Sequence, residues 1–232
     1  MKSIRNLALV IGLLALSSVS QAQFSSTWTA VSDYDFRGFS QSDEDPALQA
    51  SADYAFGDSG FSIGAWASNV KFPGYDGNVE LDLYANYVGK INDTFAWTAG
   101  VTRYNYPGSS ASATKFEIGE YFEGYVGFNA GNFSLKQWYS NDFYNADVSA
   151  QYTEVNYTQP FGDKFSLAFH AGYAWGDYWD ANETFDYAVQ GNYTAGNFTL
   201  FAKFTGTDLD HANDANAEAR VLVGVMTTIP WK

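Results

Sequence analysis

The sequence contains no cysteine. Disulfides, thiolate metal sites and cysteine nucleophiles are therefore excluded, and the chain must hold its fold without covalent staples. Basic residues are scarce, with 12 Lys and Arg against 26 Asp and Glu. Nucleic acid is excluded as a partner on this balance, because phosphate neutralisation needs clustered Lys and Arg. There are only two histidines, His170 and His211. No segment approaches 18 unbroken apolar residues, so a membrane-spanning helix is not expected. Charged residues of both signs make up 16% of the chain, too few for the Lys- and Glu-rich exterior of a soluble sheet.

What is present begins with an export signal. Lys2 and Arg5 form a basic start, Leu7 to Leu16 an apolar core, and Ser20-Gln21-Ala22 a small-residue cleavage site. Residues 1–22 are thus expected to be removed, leaving a single domain over 23–232. Without Lys2 and Arg5, 10 basic residues face 26 acidic ones, a net charge of −16. Beyond the signal, apolar and polar residues alternate with a period of two. Trp28, Ala30, Tyr34 and Phe36 fall on one face, and Thr27, Thr29, Asp33 and Asp35 on the other. The pattern recurs about a dozen times. It predicts strands near 24–36, 46–56, 61–70, 78–88, 95–105, 115–129, 133–140, 148–158, 165–175, 185–194, 198–206 and 219–231.

Tight turns and longer polar connections alternate between these strands. Gly57-Asp58-Ser59-Gly60, Ala130-Gly131-Asn132, Gly162-Asp163-Lys164 and Ala195-Gly196-Asn197 are examples of the tight kind. Phe61, Phe95, Phe133, Phe165 and Phe198 each follow such a turn, which predicts an aromatic ring at one interface. The polar face carries Ser, Thr, Asn, Gln, Tyr and Asp, which suits a wet lumen. Together these features predict an all-β fold, an up-and-down antiparallel transmembrane β-barrel of about 12 strands in the bacterial outer membrane. Two strands fit less well. Gln137 falls on the lipid face, and the phase changes between Ala150 and Val155, so a bulge or a different register is expected over 133–158.

The segment Ser32-Asp-Tyr-Asp-Phe-Arg-Gly-Phe-Ser-Gln-Ser, followed by Pro46-Ala-Leu-Gln and later by Trp66-Ala-Ser-Asn69, resembles the opening of the TorF porin family. The resemblance implies an exported outer-membrane barrel of about this length and brings no catalytic residues. One departure is the end of the chain, where Lys232 follows Trp231. Barrels of this kind usually finish on an aromatic residue read by the outer-membrane assembly machinery.

On the predicted register Asp33, Asp35, Asp53, Glu80, Asp82, Glu117, Glu123, Glu154 and Asp186 point inward, with the bases Arg37, Lys136, Lys203 and Arg220. Acidic loops add Asp43-Glu44-Asp45, Asp177, Asp180, Asp208, Asp210 and Asp214. Two readings stand side by side. The acids either form a negative vestibule that enriches cations, or are solvated and paired with the four bases. Inward Trp66, Tyr84, Tyr104, Tyr121, Tyr125 and Trp138 either line a track for ring-shaped solutes or fill a narrow barrel.

An enzyme is the contrasting class. Ser166 and His170 share one strand face, but four residues of strand separate them by ~13 Å, too far for a nucleophile–base pair. His211 with Asp208, Asp210 and Asp214 lacks the Gly and closing Glu of an EF-hand loop, and is read as a solvated loop. No cofactor and no metal site is expected. The expected partners are outer-membrane lipid, small solutes and the assembly machinery. The functional expectation is a porin-like channel for passive diffusion of small cationic or neutral solutes; the alternative is a closed structural or adhesive barrel acting through its loops.

Overall fold

The computed structural model describes residues 24–72, 76–108, 119–209 and 215–231. Fourteen strands are present among them: β1 (Phe24–Val31), β2 (Asp35–Phe36), β3 (Phe39–Ser40), β4 (Ala47–Ala55), β5 (Phe61–Asn69), β6 (Val79–Lys90), β7 (Phe95–Asn105), β8 (Tyr121–Ala130), β9 (Phe133–Ser140), β10 (Ala150–Phe161), β11 (Phe165–Trp175), β12 (Thr184–Ala195), β13 (Phe198–Thr207) and β14 (Arg220–Ile229). All except β2 and β3 belong to one closed antiparallel barrel of twelve strands, in which chain neighbours pair and β1 closes onto β14. Closure removes every sheet edge, as a barrel in lipid requires. The signal segment 1–22, Glu117, the His211 loop (210–214) and Lys232 lie outside the described residues.

Period-two alternation explains both faces. Odd positions of β6 place Leu81 and Leu83 outside, and even positions place Glu80 and Asp82 inside, buried. Val126 and Val221 are 63% and 67% exposed on the outer wall. Phe61, Phe95, Phe133, Phe165 and Phe198 are all exposed on that wall, each the first residue of its strand. Both described ends, at Phe24 and Trp231, lie at the rim of these short turns. The two-residue turns Gly131-Asn132 and Gly196-Asn197 put glycine first, with φ of 59° and 62°, the position where a II′-type hairpin needs it.

Neither the bulge nor the different register expected over 133–158 is found. β9 and β10 pair without interruption from Phe133↔Tyr157 to Ser140↔Ala150. Gln137 does face outward, and its exposure there is relieved locally. It accepts from Thr153 Oγ1 (2.6 Å) and donates to the Trp138 carbonyl (2.9 Å). Thr153 in turn accepts from Trp175 Nε1 (3.3 Å). The apparent phase change is this small set of mutually satisfied polar groups on the outer wall.

A second correction concerns the first strand. The expected strand 24–36 stops at Val31. From Ser32 the chain leaves the wall and folds into the barrel, where β2 and β3 form a hairpin of their own. Tyr34, Ser40, Gln41 and Ser42 are buried there. The turn is Arg37-Gly38, with φ of 53° and 86°. Two successive positive-φ residues give a hairpin of the I′ kind, for which Asn-Gly is the favoured pair. An arginine at the first position costs about 1–2 kcal/mol of backbone energy. At Gly38 a Cβ would stand 2.5 Å from Thr207 Cγ2 and 3.0 Å from Asp186 Cβ. Only glycine lets the turn press against the wall.

A crossbar and a charged interior

The infolded hairpin is pinned at both ends by ion pairs. On one side Arg220 of β14 donates from Nε to Asp33 (2.6 Å), from Nη2 to Asp35 (2.7 Å) and from Nη1 to the Gly38 carbonyl (2.8 Å). Lys203 of β13 donates to the other oxygen of Asp35 (2.6 Å). Ser40 donates to Asp33 (2.6 Å), and Ser42 stands 2.9 Å from the same oxygen. On the other side Arg37 meets Glu123 of β8 with both Nη atoms, at 3.0 and 2.7 Å. This fork-to-fork geometry is the strongest form of carboxylate–guanidinium pairing. β8 and β14 stand six strands apart whichever way the barrel is followed. The hairpin is thus a crossbar between opposite walls.

Its return arm is tied to the rim. The Lys71 backbone donates to the Gln41 carbonyl (2.9 Å), and Lys71 Nζ lies 2.8 Å from both Asp43 and Asp45. Side-chain hydrogen bonds to Asp43 and then Asp45 hold the Lys71 ammonium above its ordinary value. The pair is solvent-exposed, so it adds little stability.

The remaining interior charges sort into pairs and residues without a basic partner. Lys136 lies 3.9 Å from Glu154 and sits over the Tyr125 and Trp138 rings. Asp186 accepts from Tyr152 (3.0 Å) and lies 2.8 Å from His170 Nε2. His170 Nδ1 faces the Asn156 amide oxygen at 2.7 Å, and Asn156 donates its own amide to Glu154. Both imidazole nitrogens therefore face oxygen acceptors. Asp53 is bonded to Ser51 and Tyr84. Glu80 accepts from Tyr106 (3.3 Å) with one oxygen, while its Oε2 and Asp82 Oδ1 are buried without a hydrogen-bond partner. Each of Arg37, Lys136, Lys203 and Arg220 is thus engaged by a carboxylate, whereas no basic partner faces Asp53, Glu80 or Asp82 among the described residues.

The interior aromatics form two groups rather than one line. Tyr104 and Tyr121 stack at 4.5 Å and 10°, and Trp66 lies 5.2 Å from Tyr34. Around them Tyr106, Phe143 and Tyr144 complete a buried nest at the long-loop end. Tyr125 and Trp138 pair at 4.5 Å elsewhere, beside Lys136. Tyr84 is bound to Asp53. Asp33 and Asp35, expected on a wall strand, stand instead on the crossbar. Its sequence signal is the pair Arg37-Gly38 between Phe36 and Phe39, which reads as a hairpin turn as readily as a loop. The burial of Ser40 and Ser42 had no signal, and Tyr152 had only its place two residues before inward Glu154.

Ser166 and His170 are not brought together as a catalytic pair. Ser166 accepts from Asn192 (3.2 Å), and His170 is held by Asn156 and Asp186. Among the described residues no group of three or more His, Asp or Glu is arranged to hold a metal ion.

Solved structures with this fold include two porins and an outer membrane protein. The KdgM porin superposes with a TM-score of 0.58 at 12% identity, covering 88% of this chain and 98% of that one. The NanC porin gives 0.55 at 11%, with 88% and 98% covered. Omp33 of Acinetobacter baumannii gives 0.52 at 10%, with 89% and 96% covered. KdgM has also been solved in complex with a disordered oligogalacturonate. No curated protein matches the chain in sequence. The family model described as a bacterial protein of unknown function, Gcw_chp, matches residues 15–228.

Proposed function

We propose, for a chain that belongs to the Gcw_chp family of bacterial proteins, a passive outer-membrane channel for small cationic or neutral solutes. The resemblance of its opening segment to the TorF porin family and its porin fold both support the channel class. The charge inventory supports the selectivity. Among the described residues Arg37, Lys136, Lys203 and Arg220 are each engaged by an acid, and Asp53, Glu80 and Asp82 have no basic partner. A narrow passage whose carboxylates outnumber its bases holds a negative potential where those carboxylates meet water and ionise, which enriches cations and repels anions. Diffusion through such a lumen needs no covalent step, and no pairing of Ser166 with His170 supports one.

The crossbar favours a second reading. A hairpin pinned to opposite walls also suits a closed barrel that works through its rim loops. Reversal potentials of purified protein in a planar bilayer under a KCl gradient separate the two. A cation-selective reversal potential at 0.1 M, weakening towards 1 M as the Debye length falls from ~10 to ~3 Å, is the expected result. Glu80→Gln with Asp82→Asn should reduce it. Anion selectivity would overturn the charge argument, and absence of conductance would establish the closed barrel.

A further inference from the structure

Arg37 fills a site shaped for a guanidinium. Glu123, 1% exposed, offers both oxygens to it. The Tyr152 ring lies 4.1 Å from Cζ, Phe36 4.7 Å and Trp138 5.8 Å. A carboxylate fork walled by aromatic faces is the arrangement that recognises planar cations. The occupant is not fixed in the wall. It hangs from the tip of the crossbar, in a turn whose backbone is better suited by Asn or Gly. Glu80 Oε2 and Asp82 Oδ1, buried and unpartnered, lie on the same inner surface two strands away. That stretch of wall thus carries three carboxylates, of which Arg37 pairs with Glu123 alone.

We propose that this box is a binding site for guanidinium-bearing solutes, with Arg37 as its internal occupant. A solute cation would take the Glu123 carboxylate and the Tyr152 and Trp138 faces in place of Arg37. Entry of the solute and undocking of this end of the crossbar are then one event. The inference rests on reading the interior as a solute path, and it adds the chemical class of solute.

An internal ligand competes with an added one, so the apparent affinity of the wild type is reduced by the fraction of sites left open. Arg37→Asn removes the competitor and keeps a residue suited to the turn. The probe is methylguanidinium chloride, titrated into the barrel in detergent with tryptophan fluorescence as readout and KCl as ionic-strength control. Arg37→Asn should bind it about tenfold more tightly than the wild type, or better. Adding Glu123→Gln should abolish that gain. Arg37→Gly, equally at home at positive φ, repeats the measurement if the Asn variant does not assemble. Equal affinity in wild type and variant, or a gain that survives Glu123→Gln, overturns the proposal. The fluorescence readout does not depend on conduction. A barrel that binds methylguanidinium but passes no current retains the site and loses the channel; one that conducts and ignores the probe does the reverse.

Discussion

Arg220→Met should release one end of the crossbar. The substitution keeps an unbranched stem and removes the group that ties Asp33, Asp35 and the Gly38 carbonyl to β14. Breaking a buried ion pair by deleting one partner costs about 3–5 kcal/mol, because the other charge stays buried. Here the lower end applies. Asp33 keeps Ser40, and Asp35 keeps Lys203 and Thr205. The barrel ladder is untouched, so the cost falls on the local opening equilibrium of residues 32–45. Three kcal/mol corresponds to a rise of roughly 150-fold in the open population. Trypsin reads this directly, since Arg37 is itself a cleavage site and is largely enclosed while the hairpin is docked. Mass spectrometry of the product ending at Arg37 should show cleavage faster by about two orders of magnitude, as expected when opening is rapid relative to cutting. Single-channel conductance should rise in parallel. Wild-type rates of both, in a variant that still forms the barrel, would refute the latch.

The remaining expectations are simpler. For topology, a cysteine at Glu44 should be labelled on intact cells and one at Ser59 should not; the reverse pattern would invert the barrel. Ser42, though close in sequence, is a poor labelling site because it is fully buried. Ser166→Ala should change stability by less than ~0.5 kcal/mol and abolish no hydrolytic activity, and loss of such an activity would remove the channel assignment. His170→Ala should cost about 1–3 kcal/mol, read from thermal or denaturant unfolding, because Asp186 and Asn156 each lose a half-buried hydrogen-bond partner; an unchanged midpoint would show that the network is not stabilising.

Much of the wall was legible because a strand that meets lipid on one side and water on the other must alternate. Leu81, Leu83, Glu80 and Asp82 reveal their faces by position alone. The crossbar was hidden by the same rule. Ser32 to Phe36 alternates as well as any strand, but its apolar members Tyr34 and Phe36 pack against interior Trp66 and Tyr104 rather than lipid. Period two reports that one face is apolar, not which apolar environment it meets. Charge pairing was hidden for a different reason. Register relates neighbouring strands, whereas Arg37 and Glu123 meet across 86 residues and Asp33 and Arg220 across 187, through a loop that leaves the sheet. The strain at Arg37, the clearest local marker of the site, is a dihedral angle and leaves no trace in composition.

The latch also has an order in time. Asp33 follows the first wall strand, and its partner Arg220 opens the last one. Until β14 is in place, Asp33 has no guanidinium to meet, and β1 has no partner on that edge. Docking of this end of the crossbar therefore reports that the wall is complete. A chain stalled one strand short would keep a half-seated hairpin beside an open seam, with Tyr34, Phe36 and Asp33, which lacks its guanidinium, left in reach of quality-control proteases. The contact that narrows the finished barrel thus also distinguishes it from one still being made.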